Sequence, residues 1–115
     1  MTMANDRETL KATLDGVDGV KGYAYRPRAV KPGDAWPILR SVELVDGLAW
    51  QPTWGAIVAL SPDERTAAEW VDTHFEELVL ALRGPGFPDG AEMALMGTEG
   101  GPLFILDITL TTDPE

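Results

Sequence analysis

The chain has no cysteine and a single histidine. The first absence rules out disulfides, thiolate nucleophiles and cysteine-ligated metals. The second leaves a hydrolytic triad only one possible base, His74. No apolar run approaches the ~20 residues that span a bilayer. The first residues are polar and charged, unlike a secretory leader, so the expectation is an intracellular, soluble domain. Bases are scarce too. Nine stand against nineteen acids, a formal charge of −10, which argues against an attractive surface for nucleic acid. The glycines form no strand-to-helix phosphate loop: G-P-G-F-P-D-G, residues 84–90, follows a helix and is broken by prolines. No acidic stretch has the spaced oxygen ligands and central glycine of a calcium loop.

What is present is enough for one packed domain over residues 1–115, since 44% of the chain is hydrophobic. Its clearest element is a helix over residues 61–84. Ser61 is the expected cap, Pro62 suits the first helical position, and Glu64 completes a capping box. Gly84 is the expected left-handed terminator. Ala67, Trp70, Val71, Phe75, Leu78, Val79 and Leu82 make an apolar stripe with His74 on its border. A packed or partly exposed structural role fits that histidine best. Such a helix of roughly 20 residues is about 30 Å long and can cover a small sheet.

The remaining chain reads as that sheet. Asn5 and Glu8 resemble a second capping box, opening a short helix over residues 5–15. Residues 22–26 alternate as a first strand. Residues 27–37 hold three prolines and form an extended loop. Residues 38–45 alternate as a strand, Asp46-Gly47 signals a hairpin, and Pro52 predicts an edge or bulge in the return strand. Residues 54–60 read as a buried central strand, 91–96 as a strand, 98–101 as a turn and 103–111 as the last strand. In that last strand Phe104, Leu106, Ile108 and Leu110 face one way, and Leu103, Ile105, Asp107 and Thr109 the other. The fold class is therefore α+β: an antiparallel sheet of about five strands with two helices packed on one face, in the order helix, strand, hairpin, helix, hairpin. Apolar residues on both faces of the last strand call for either a second layer or a neighbouring subunit.

Charge is segregated along the chain. Residues 1–42 carry seven bases and five acids, whereas residues 43–115 carry two bases and fourteen acids. Such a split is either plain solvated surface or the complement needed for head-to-tail contact between copies. The leading contact candidate is the loop of residues 26–34, with Arg26 and Asp34 at its ends and Arg28 and Lys31 at its tip. The hairpin of residues 45–50, with Asp46 and Trp50, is second. Trp36 and Trp50 read as rim packing or as anchors of a protein contact, while Trp54 and Trp70 read as core. Glu69, Asp72 and Glu76 share a helical face and are the candidate electrostatic partner. Their spacing can also attract a divalent cation, but on an exposed helix it is ordinarily solvated, so no metal, cofactor or catalytic residue is assigned.

The motifs also have an order. G-Y-A-Y-R-P (residues 22–27) and a proline-rich loop precede W-P (36–37), D-G (46–47) and W-x-x-x-V-x-L (54–60). S-P-D-E-R-T-A-A-E-W-V-D (61–72) and G-P-L-F-I-L-D-I-T (101–109) follow. Over residues 5–112 this succession resembles the tail terminators, or tail completion proteins, of long-tailed bacteriophages. The resemblance implies a non-enzymatic virion protein at the head-proximal end of the tail, assembled in the host cytoplasm. It implies a hexameric ring that caps the tail tube, ends its growth and presents a surface to the head–tail connector. DNA would pass through the lumen without specific binding, which an acidic lumen favours by repelling phosphates. Head–tail connector or neck proteins share this size and mixture of elements. An acidic dimeric chaperone or adaptor, from a different class, fits the composition equally well. A small enzyme using paired carboxylates would need a pocket that no spacing here demands.

Overall fold

The computed structural model describes residues 2–114. Its elements are α1 (Met3–Asp15), β1 (Lys21–Gly22), β2 (Asp34–Val45), β3 (Ala49–Ala59), α2 (Glu64–Leu82), β4 (Phe87–Met96) and β5 (Leu103–Thr111). This is the expected helix, strand, hairpin, helix, hairpin order, and the fold is α+β. The five strands lie in the order β1-β2-β3-β5-β4. All pairings are antiparallel except that of β1 with β2, so the sheet is mixed.

That parallel pair corrects the expected strand over residues 22–26. The ladder runs from Lys21 N–H to the Gly33 carbonyl (2.9 Å) and from Tyr23 N–H to the Ala35 carbonyl (2.8 Å). The next bond in a parallel ladder needs an N–H at position 37, and that residue is proline. Arg7 of α1 takes over at this point. Its Nη1 donates to the carbonyls of Ala24 (2.9 Å) and Pro37 (3.1 Å), and its guanidinium lies 4.3 Å from the Tyr25 ring centroid. A side-chain clamp replaces the ladder.

The helix starts differ from those expected. α1 is capped by Thr2, whose hydroxyl accepts from the Asn5 N–H at 3.2 Å, so the helix starts ahead of Asn5. α2 is capped by Asp63, not Ser61; Asp63 accepts from the Thr66 N–H at 2.9 Å, and Ser61 Oγ accepts from the Asp63 N–H at 3.0 Å. The serine shapes the turn that delivers the aspartate. At the other end Arg83 keeps a right-handed conformation, and Gly84 is not among the glycines with positive φ.

The β2–β3 turn falls where predicted but is one residue longer than a two-residue hairpin. Val45 pairs with Ala49, leaving Asp46, Gly47 and Leu48 in the loop, with Asp46 (φ 53°) and Gly47 (φ 70°) both in the left-handed region. The irregularity expected at Gln51-Pro52 lies instead on β2, between Leu39 and Ser41. Pro52 pairs regularly with Val42. Its carbonyl accepts from Thr112 N–H, beyond the last β3–β5 pair at Thr53. A strand residue points its N–H and C=O to the same side, so the missing N–H faces the Thr112 carbonyl, which accepts from Gln51 Nε2 (3.4 Å) in its place.

The helices and one sheet face enclose the main core, in which Leu10, Leu14, Trp54, Leu78, Leu82 and Leu110 have no exposed surface. A buried polar chain closes it at one end. Trp54 Nε1 donates to Thr112 Oγ1 (3.1 Å), which donates to Asp6 Oδ2 (2.8 Å), tying α1 and the C-terminal segment to the central strand.

Candidate protein interface

The opposite face of the sheet is only half covered. Trp36, Ile57, Ala59, Leu103 and Ile105 form a second, smaller core there, with Tyr23, Val30, Ala94 and Met96 packed against it. The cover is the proline-rich loop between β1 and β2. Asp34 Oδ2 accepts from the Lys31 N–H (3.0 Å), Gly33 N–H donates to the Ala59 carbonyl (2.8 Å), and Arg26 Nη2 crosses to the Gly97 carbonyl (2.9 Å). The loop is therefore a second layer on part of this face.

This placement corrects two of the contact candidates. Trp36 is 3% exposed and Asp34 7% exposed. The β2 strand starts earlier than predicted, at Asp34, so its two-residue alternation turns Trp36 under the loop. Asp34 ties the loop's own backbone. Arg26, Arg28 and Lys31 are exposed, as are Asp46 and Trp50 in the hairpin. Glu69, Asp72 and Glu76 are exposed on α2, across the sheet from the basic loop. Glu69 accepts from Arg65 Nε at 3.1 Å in a solvent-exposed pair, a contact of little energetic weight. Among the described residues no group of three metal-ligating side chains comes together. His74 stacks on Trp70 with ring centroids 4.3 Å apart, and its Nδ1 lies 3.0 Å from the Trp70 carbonyl. A carbonyl only accepts, so this nitrogen is the protonated one.

Beyond the loop the second face opens into a groove of about 450 Å³. Trp36, Ile57 and Ile105 form its floor, Tyr25, Ile38 and Met96 its apolar walls, and Arg7 and Arg26 also line it. At its end Arg40 pairs with Asp107. Gly55 makes this pair possible, because a Cβ there would sit 2.5 Å from Arg40 Nε. Arg40 thus crosses β3 over a glycine to reach β5. Asp107 also lies directly across from Glu92 of β4, a like-charge pairing that the guanidinium offsets. Asp107 Oδ1 is buried and has no hydrogen-bond partner.

The other exposed feature is the β2–β3 hairpin. Its last four residue pairs, Val42↔Pro52 to Val45↔Ala49, lie beyond the final β3–β5 pair, an arm of about 13 Å. The radius of gyration, 14.0 Å, exceeds the ~13 Å of a compact chain of this size. Leu44 (52% exposed), Leu48 (91%) and Trp50 (54%) stand on the arm. Sequence reasoning identified the hairpin but not the groove, nor the β4 edge, where Phe87 and Leu95 are also exposed. The alternation of Ala91 to Met96 carried a signal for Leu95; the groove had none, because it needs the strand order.

No helix among the described residues is long and apolar enough to cross a membrane. The chain matches no protein-family model and no curated protein sequence.

Proposed function

We propose that this chain is a self-assembling structural subunit of a long-tailed bacteriophage tail. It caps the tail tube as a hexameric ring, stops tube growth and offers its outer surface to the head–tail connector. The observation that carries the assembly reading is the opposition of two surfaces of complementary charge. A basic loop and an arginine-lined groove lie on one face of the sheet; an acidic helix lies on the other, and an apolar arm projects from one end. Opposite surfaces that complement each other generate head-to-tail contacts, which close into a ring where the rotation between copies closes. The tail assignment rests on the motif order from residue 22 to residue 109, and the acidic composition suits a lumen through which DNA slides. A neck or connector ring is the neighbouring assignment on the same surfaces. The unpaired outer edge of β4 favours one further reading, a dimeric adaptor that extends its sheet across a two-fold axis.

Light scattering across a concentration series, with negative-stain images in the absence and presence of purified tail tubes, tests this. Six-fold rings, free or seated on tube ends, are expected. A stable dimer indifferent to tubes overturns the ring in favour of the adaptor. Reversing Arg28 and Lys31 to Glu leaves the monomer folded and weakens assembly, most at low salt. Assembly unchanged at every salt concentration removes the loop from the contact.

A further inference from the structure

We infer that the β2–β3 hairpin of one copy docks in the groove of the next, so that one protomer's arm fills the open half of its neighbour's second face. This rests on the ring reading and names its seam.

Two properties of the two surfaces match. The first is polarity. The arm exposes Leu44, Leu48 and Trp50, and the groove is floored and walled by apolar side chains, with Ile38 itself 44% exposed. A projecting tryptophan and a concave apolar pocket are the usual anchor pair of a protein contact. The second is charge. Between Val42 and Pro52 the arm carries Glu43 and Asp46 and no base. The groove carries Arg7, Arg26 and Arg40 against Asp107 alone. An acidic tip entering an arginine-lined slot has its sign right, which fixes register and favours encounter.

The geometry also fixes which sides of the sheet meet. By strand parity, Leu44 and Trp50 point to the side of the sheet that carries the helices, whereas the groove opens on the other side. Arm and groove are different patches, so the contact either propagates head to tail from copy to copy or closes reciprocally, each of two copies holding the other's arm across a two-fold axis. The first gives the ring and the second a dimer, and mass in solution separates them.

The absence of cysteine makes the test clean. Leu48→Cys and Ile38→Cys are each single-thiol variants at exposed positions, so neither disturbs the core. They are mixed at the highest soluble concentration, oxidised, and resolved by non-reducing electrophoresis and intact mass. The mixed Leu48→Cys/Ile38→Cys disulfide is expected well in excess of either homodimer, and Trp50→Ala in both chains reduces it several-fold. Dominance of the Leu48→Cys homodimer shows arm-to-arm contact and overturns the proposal. Absence of any mixed disulfide overturns it as well. If wild-type rings are still seen by negative stain, the ring reading survives and the seam lies elsewhere; if rings are absent too, both fall.

Discussion

The two faces of the sheet are built from the same strands, residue by residue in alternation, yet they are finished to different degrees. On the helix side, β3 and β5 contribute Trp54, Ala56, Val58, Leu106, Ile108 and Leu110, all at or below 2% exposure and covered by α1 and α2. On the other side the same strands contribute Ile57, Ala59, Leu103 and Ile105, covered by a loop, and then Gly55 and Asp107, covered by the Arg40 side chain. The first face supplies the burial that drives folding. The second holds an ion pair and an open groove in a place where a larger protein would put another layer. A sheet needs only one sealed face to be stable, which leaves the second free to be completed by another chain.

The largest test of this division compares truncations on the two faces. Leu82→Ala removes a side chain with no exposed surface from the helix-side core. It is expected to cost about 3 kcal/mol. Ile38→Ala, at 44% exposure on the open face, is expected to cost less than about 1 kcal/mol in the monomer. Urea unfolding of both variants measures the contrast. Equal losses at the two sites erase the distinction between a sealed folding face and an open one.

A finer test uses the ion pair of the open face, whose partners are unequally buried: the Arg40 side chain is 40% exposed and that of Asp107 11%. Arg40→Ala strands a buried carboxylate, with both oxygens then lacking a partner from the arginine. The expected loss is about 1–3 kcal/mol. Asp107→Ala leaves a guanidinium that can turn to water over Gly55, so its loss is smaller. Denaturant midpoints for the two variants decide it, and a larger loss for Asp107→Ala means that the pair is held by something other than carboxylate burial.

How much of this was legible beforehand depended on the range of the interaction. The alternation of Leu103 to Thr111 fixed both the extent of β5 and the facing of its side chains, because period two is local. Asp46-Gly47 marked the place of its turn for the same reason, though not the third loop residue, Leu48, that the register adds. The length of β1 was not legible, since it ends where a parallel partner meets Pro37, a fact of register between strands. Trp36 read as a rim residue beside prolines, but the strand already includes it, and strand parity buries it. Arg40 and Asp107 are 67 positions apart and meet only because β3 presents Gly55 between them. The groove is a consequence of that meeting and of the loop folding over the sheet. Its residues carry no common motif.

The smallest expected effect concerns α2, which shields the finished face. Ser61 and Asp63 are both good caps, and the sequence pattern favoured the first; the structure uses Asp63. The Thr66 hydroxyl (2.7 Å) and then the Thr66 backbone N–H (2.9 Å) donate to its carboxylate and hold its pKa below the usual aspartate value. A carboxylate whose pKa is lower when folded binds protons more weakly in the native state. Its contribution is therefore fully present above the unfolded pKa and disappears as pH falls through the folded one. Asp63→Asn keeps a capping oxygen but cannot titrate. Between about pH 5 and about pH 2 the wild type should lose slightly more thermal midpoint than Asp63→Asn, with every other carboxylate common to both. Ser61→Ala should leave this difference in place. Parallel melting curves for wild type and Asp63→Asn across that range would return the cap to Ser61, and with it the sequence-based start of the helix.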